Sequence, residues 1–75
     1  MILTVQRQTG MRVYLDVELT DTITKIKEIF EEKQGENVNQ QRYIFNSIEL
    51  DNNKTIAEYG IQEESIIHLV LNLST

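Results

Sequence analysis

Apolar residues recur at every second position near both ends of this chain, and at helical spacing in one segment between. Leu3 and Val5, then Met11, Val13, Leu15 and Val17, alternate with mostly polar neighbours, the pattern of two strands that each bury one face. Gln8-Thr9-Gly10 between them has the length of a hairpin loop. Ile23, Ile26 and Phe30 stand at i, i+3 and i+7, so one helical stripe faces the sheet, with Thr22 placed to cap its start and Gly35 its end after about Gln34. Beyond a polar stretch, Tyr43 and Phe45 mark a third strand, Asn46-Ser47 a tight turn, and Ile48-Glu49-Leu50 a short fourth strand. Ile56 to Tyr59 reads as one helical turn closed by Gly60, and a last strand runs from about Ser65 to Asn72 with Ile67, Leu69 and Leu71 inward. Gly10, Gly35 and Gly60 all fall at boundaries where a positive φ is expected, and Asn46 is the kind of residue that tolerates that conformation best after glycine.

Size and composition narrow the choices. Seventy-five residues support one domain, because a chain this short buries only about 60 to 65 per cent of its unfolded surface and cannot divide it between two cores. A hydrophobic content of 40% is too high for disorder, yet no apolar run approaches the roughly 18 to 20 residues of a membrane span. Met1-Ile2-Leu3-Thr4-Val5 lacks a basic region and does not read as a secretory signal. Zero cysteines exclude disulfides and thiolate metal sites and fit the reducing conditions of the cytoplasm and nucleus. With His68 as the single histidine, neither a transition-metal site nor any other cofactor is implied. The formal charge of −5, with seven scattered basic residues, opposes binding to nucleic acid. A monomer that touches neither nucleic acid nor membrane is expected.

Alternation also predicts what the strands present to water. In Gln41-Arg42-Tyr43-Ile44-Phe45 and Ile67-His68-Leu69-Val70-Leu71, it turns Ile44, His68 and Val70 outward on one sheet face. Single exposed aliphatics are common, but a cluster of them marks an interaction surface. Ile2 also points away from the core and Ile29 lies at the edge of the helical stripe, so each is either core margin or a contact with a neighbouring domain.

Catalysis finds little support. Ser65 and His68, with Glu64 close by, differ by an odd number of strand positions and point to opposite faces, with no oxyanion donor suggested. Tyr59 follows a turn, and its hydroxyl is expected to donate to backbone rather than to act as a general acid. Glu31-Glu32 and Glu63-Glu64 read as solvated faces, since adjacent residues on a helix do not face each other. The chain is expected not to be an enzyme.

The order strand, strand, helix, strand, short strand, strand is accompanied by a series of short strings. These are Thr9-Gly10, Asp21-Thr22-Ile23, Gln40-Gln41-Arg42, Ile44-Phe45, Tyr59, Ile61-Gln62, Glu64-Ser65 and His68-Leu69-Val70-Leu71. Together they resemble the ubiquitin family, without a gap from Met1 to Leu73. The resemblance implies an α+β fold, the β-grasp, in which a mixed sheet (ββαββ with a short extra strand) wraps round one helix and the first and last strands are parallel neighbours. One ubiquitin-like domain then spans residues 1–75.

In that family the surface at Ile44, His68 and Val70 is where ubiquitin-binding domains, proteasomal receptors and processing enzymes dock. By resemblance, the chain binds ubiquitin-binding domains or proteasomal and segregase-type receptors non-covalently, as part of a larger protein. The residues so implied are Gln8, Arg42, Ile44, Ser47, Ile48, Glu49, His68 and Val70. Departures alter the outline: the family has leucine at Gln8, glycine at Ser47 and lysine at Ile48. Gln8 removes an apolar anchor in a loop expected to be mobile, and Ile48 adds one at the opposite rim. Basic residues at the positions of Gln6, Ile48, Asn72 and Ser74 are absent, leaving Arg42 with Glu49 nearby. Partner choice should therefore differ, since specificity is a difference of affinities.

Family modifiers end in a glycine pair whose carboxylate is activated, then passed to a thiol and a lysine amine. Asn72-Leu73-Ser74-Thr75 lacks the pair, so activation by a ubiquitin-type enzyme is not expected of this chain as written. The alternative is a covalent modifier whose tail extends beyond Thr75 or is made by polyprotein processing. The two lysine positions most used in family polymers are Ile48 and Glu63, whereas Lys27 and Lys33 match family lysines. Asn52 replaces the acid that partners the lysine at position 27, which leaves Lys27 to reach water or another acid.

Overall fold

Leu3, Val5, Val13 and Leu15 all lie at or below 5% exposure, the inward rows of two strands that alternation sets side by side, and Val17 just beyond the second is buried with them. The computed structural model describes residues 1–72; the tail positions Leu73, Ser74 and Thr75 lie outside the described residues. Strands β1 (Ile2–Gln6) and β2 (Arg12–Asp16) form an antiparallel hairpin in which Leu3 faces Leu15 and Val5 faces Val13. Helix α1 (Ile23–Gln34) follows, then β3 (Gln41–Phe45), β4 (Ile48–Glu49) and β5 (Ile66–Leu71). The sheet order is β2-β1-β5-β3-β4, with β5 parallel to β1 and antiparallel to β3. This mixed sheet around one helix is the α+β β-grasp architecture.

The helix begins where Thr22 accepts a hydrogen bond from the Lys25 N–H, and ends where Gly35 takes a left-handed φ of 91° and donates to the Glu31 carbonyl. Its stripe of Ile23, Ile26 and Phe30 is fully buried. Phe30 meets Tyr43 edge to face, ring centroids 6.4 Å apart. Gln41 points inward from β3 and is satisfied on both ends of its amide. Its Nε2 donates to the carbonyls of Lys27 and Glu36, and its Oε1 accepts from the Tyr43 hydroxyl at 2.6 Å. One buried amide thus joins the helix, the loop after it and β3.

Four points differ from, or complete, the sequence reading. Met11, in phase with Val13, is 52% exposed, because β2 starts only at Arg12 and Met11 still belongs to the hairpin loop, where the strand's alternation does not hold. The polar stretch before β3 contains a 3-10 turn, Val38–Gln40, capped by the side chain of Asn37. The Tyr59 hydroxyl accepts a hydrogen bond, at 2.6 Å from the Asp51 N–H, rather than donating one to backbone there. Ile29 packs against the core margin whereas Ile2 remains 44% exposed.

Candidate recognition surface

Antiparallel pairing of β3 with β5 sets Ile44 beside His68 and Arg42 beside Val70. Residues opposite one another in such a pair share a side of the sheet. Two separate strands, joined only through the intervening chain, thereby bring the predicted trio onto the outward face. Ile44 and Val70 are half-buried and His68 is exposed. Parallel pairing continues the row: His68 lies beside Gln6 of β1, and Gln6 beside Arg12 of β2.

Ile66 was not singled out by sequence, yet it belongs to this face. It shares the phase of His68 and Val70 along β5, is half-buried, and lies beside Thr4, which lies beside Tyr14, itself 55% exposed. The signal was the same period of two, carried one step further toward the strand's start.

The remaining predicted residues divide. Arg42 and Glu49 join the trio as a two-pronged ion pair, with Nη2 and Nε of Arg42 at 2.6 and 3.2 Å from the two carboxylate oxygens. The register places Glu49 opposite Ile44, and that hydrogen bond holds its carboxyl below the usual value. Ile48, 56% exposed, pairs with Phe45 instead, so by pleat it projects from the edge strand on the Phe45 side and not beside Ile44. Ser47 occupies the β3–β4 turn with φ 65°, after Asn46 at 52°. Gln8 stands in the exposed hairpin loop and, with Leu69 and Leu71, lines a small cavity of about 80 Å³ on the inward side of β5.

That loop is fastened by a contact sequence reasoning missed. Arg7 reaches Glu36 with two hydrogen bonds of 2.8 and 3.0 Å, both side chains being partly buried, and its guanidinium lies 5.6 Å from the Phe30 ring centre. The Arg7 bond holds the Glu36 carboxyl below its ordinary range. No spacing rule pairs residues 7 and 36; only their positions in space do.

The lysines fare differently. Lys27, 7% exposed, donates to the Asn52 side-chain oxygen at 2.5 Å, so a neutral amide stands where the family's acidic partner is expected. Burial pushes its ammonium below the usual value, partly offset by Glu49. Lys33 donates to the Tyr14 carbonyl, covering part of the exposed edge of β2. Among the described residues no three or more histidine, aspartate and glutamate side chains are grouped so as to hold a metal ion, and no helix is long and apolar enough to cross a membrane.

The model of the ubiquitin family matches residues 3–74. The chain belongs to the ubiquitin family. Among the relatives of this ubiquitin-family chain, the ubiquitin-like protein NEDD8 of Dictyostelium discoideum is 41% identical over 73 residues, which cover 97% of this chain and 95% of that protein. Ubiquitin-like protein 1 of Schizosaccharomyces pombe is 36% identical, over 97% of this chain and 94% of its own. The NEDD8-like protein RUB1 of Saccharomyces cerevisiae is also 36% identical, over 97% and 95%.

Proposed function

We propose that this chain is a protein-recognition unit that docks partners non-covalently on the sheet face around Ile44, His68 and Val70. The observation that carries the reading is the β3–β5 register, which makes neighbours of Ile44 and His68 and of Arg42 and Val70. Two half-buried branched side chains beside an exposed imidazole form a compact apolar anchor, and strands already restrict their rotamers, so docking costs little further entropy. Arg42 is engaged by Glu49 and does not offer acidic partners a bare cation. The partners are ubiquitin-binding domains or receptors of the proteasomal or segregase type, met in the cytoplasm or nucleus by a monomer that catalyses nothing. Truncating Ile44 to alanine should weaken a true partner by about 1 to 2 kcal/mol or more, measured by calorimetric titration against a panel of ubiquitin-binding domains. An unaltered affinity would move the binding site elsewhere.

A covalent-modifier reading is favoured by a separate observation. The relatives of which this chain covers 94 to 95% are themselves scarcely longer than one such domain. On that reading a conjugable tail lies beyond Thr75 or is released by processing. Thioester formation with a ubiquitin-type activating enzyme, assayed on the product of the complete reading frame, decides between the two.

A further inference from the structure

A groove of about 530 Å³ opens between the start of the chain, the loop after β2 and the 57–63 segment. Ile61, 1% exposed, forms part of its floor, while Leu19, 49% exposed, and Ala57 stand along its sides. Glu18 and Glu63 are exposed at its margin. Hydrogen bonds join these walls. The Ala57 N–H donates to the Leu19 carbonyl at 3.0 Å, the Val17 N–H to the Met1 carbonyl at 2.9 Å, and the Ile2 N–H to the Glu63 carboxylate at 3.3 Å. The concavity is therefore preformed, and its volume suits a bulky side chain with its flanking backbone.

Charge is segregated around it. Residues 13–24 and 55–72 contain no lysine or arginine, yet they hold Asp16, Glu18, Asp21, Glu58, Glu63 and Glu64, half of the twelve acidic residues. Apart from Met1, every lining residue comes from these two stretches. Among the described residues neither Glu18 nor Glu63 forms an ion pair, and the Met1 ammonium is occupied by the Val17 carbonyl and Asp16. A purely apolar partner would strip water from these carboxylates without replacing it, and an acidic partner would be repelled.

We infer that the groove docks a basic segment of a partner protein, with an aliphatic side chain seated over Ile61 and Leu19 and flanking lysine or arginine side chains paired with Glu18 and Glu63. This surface shares no residue with the Ile44 face, so the two are separable by experiment. The probe is a blocked pentapeptide, Lys-Arg-Leu-Arg-Lys, titrated into the ¹⁵N-labelled chain and followed by amide chemical shifts. Saturable shifts are expected at Leu19, Ala57 and Gly60. Replacing the central leucine of the peptide by serine should weaken binding about tenfold. The double variant Glu18→Gln, Glu63→Gln, which keeps an acceptor for the Ile2 N–H, should weaken it about fivefold. Ile44→Ala should leave it unchanged. Unsaturable shifts spread over all acidic surfaces, equal binding of the serine peptide, or full affinity in the double variant would each overturn the proposal.

Discussion

Lys27 occupies a position where burial and charge oppose each other. Its ammonium is shielded from water and given one neutral acceptor, Asn52, whose backbone carbonyl separately accepts from Thr24. A carboxylate at position 52 would keep the geometry and supply the missing charge, so Asn52→Asp should stabilise the fold by about 1 kcal/mol at neutral pH, read from urea unfolding. The sign with pH follows from the depressed ammonium. Below its folded value Lys27 is charged in both states and burial weighs against folding. Between that value and the ordinary 10.5 the unfolded chain binds more protons, so this group's contribution to stability rises with pH. A Lys27→Met variant should lack that rise, compared by denaturation at pH 7 and at alkaline pH.

At the scale of elements, two connections decide how the outward face is held. The β3–β4 turn places Asn46 and Ser47 at φ 52° and 65°, the pair of positive values that a two-residue type I′ turn demands. Asparagine tolerates this and serine does less well, so Ser47→Gly should raise stability by about 0.5 to 1 kcal/mol, seen as a higher urea midpoint with an unaltered slope. The β1–β2 loop is tied to the loop after α1 by Arg7 and Glu36. Breaking this partly buried two-pronged pair with Glu36→Gln should cost about 1 kcal/mol at pH 7. Because the folded carboxyl lies below its ordinary 4.5, the advantage is present above that pH. It is lost as pH falls through the depressed folded value. The gap between the parent and Glu36→Gln should therefore close in acid, followed by thermal unfolding across pH.

Over the whole molecule the balance of −5 is unevenly spread: Arg42 at the recognition face is held by Glu49, and the other arginine of that sheet face, Arg12, stands out on β2, with β1 between it and the strand that carries His68 and Val70. Association with acidic partners should consequently be slow and weakly salt-dependent. Glu49→Ala frees the guanidinium and should speed encounter with an acidic partner about threefold at low salt. Stopped-flow association rates across ionic strength measure this.

How much was legible follows from the range of each signal. A period of two or of 3.6 is written in adjacent residues, so the alternation of Leu3 and Val5, the stripe through Phe30, the Thr22 and Gly35 caps and the outward phase of Ile44, His68 and Val70 could all be read before any coordinates. Met11 misled because phase alone does not say where a strand begins, and the 3-10 turn at Val38–Gln40 was too short to carry a period. Which outward residues become neighbours depends on registry between strands far apart in the chain, and that registry is settled by packing against the helix. Long side chains such as Arg7, Arg42 and Lys27 can reach any acceptor within several ångströms, so their partners Glu36, Glu49 and Asn52 were chosen by the folded geometry and not by any spacing along the chain.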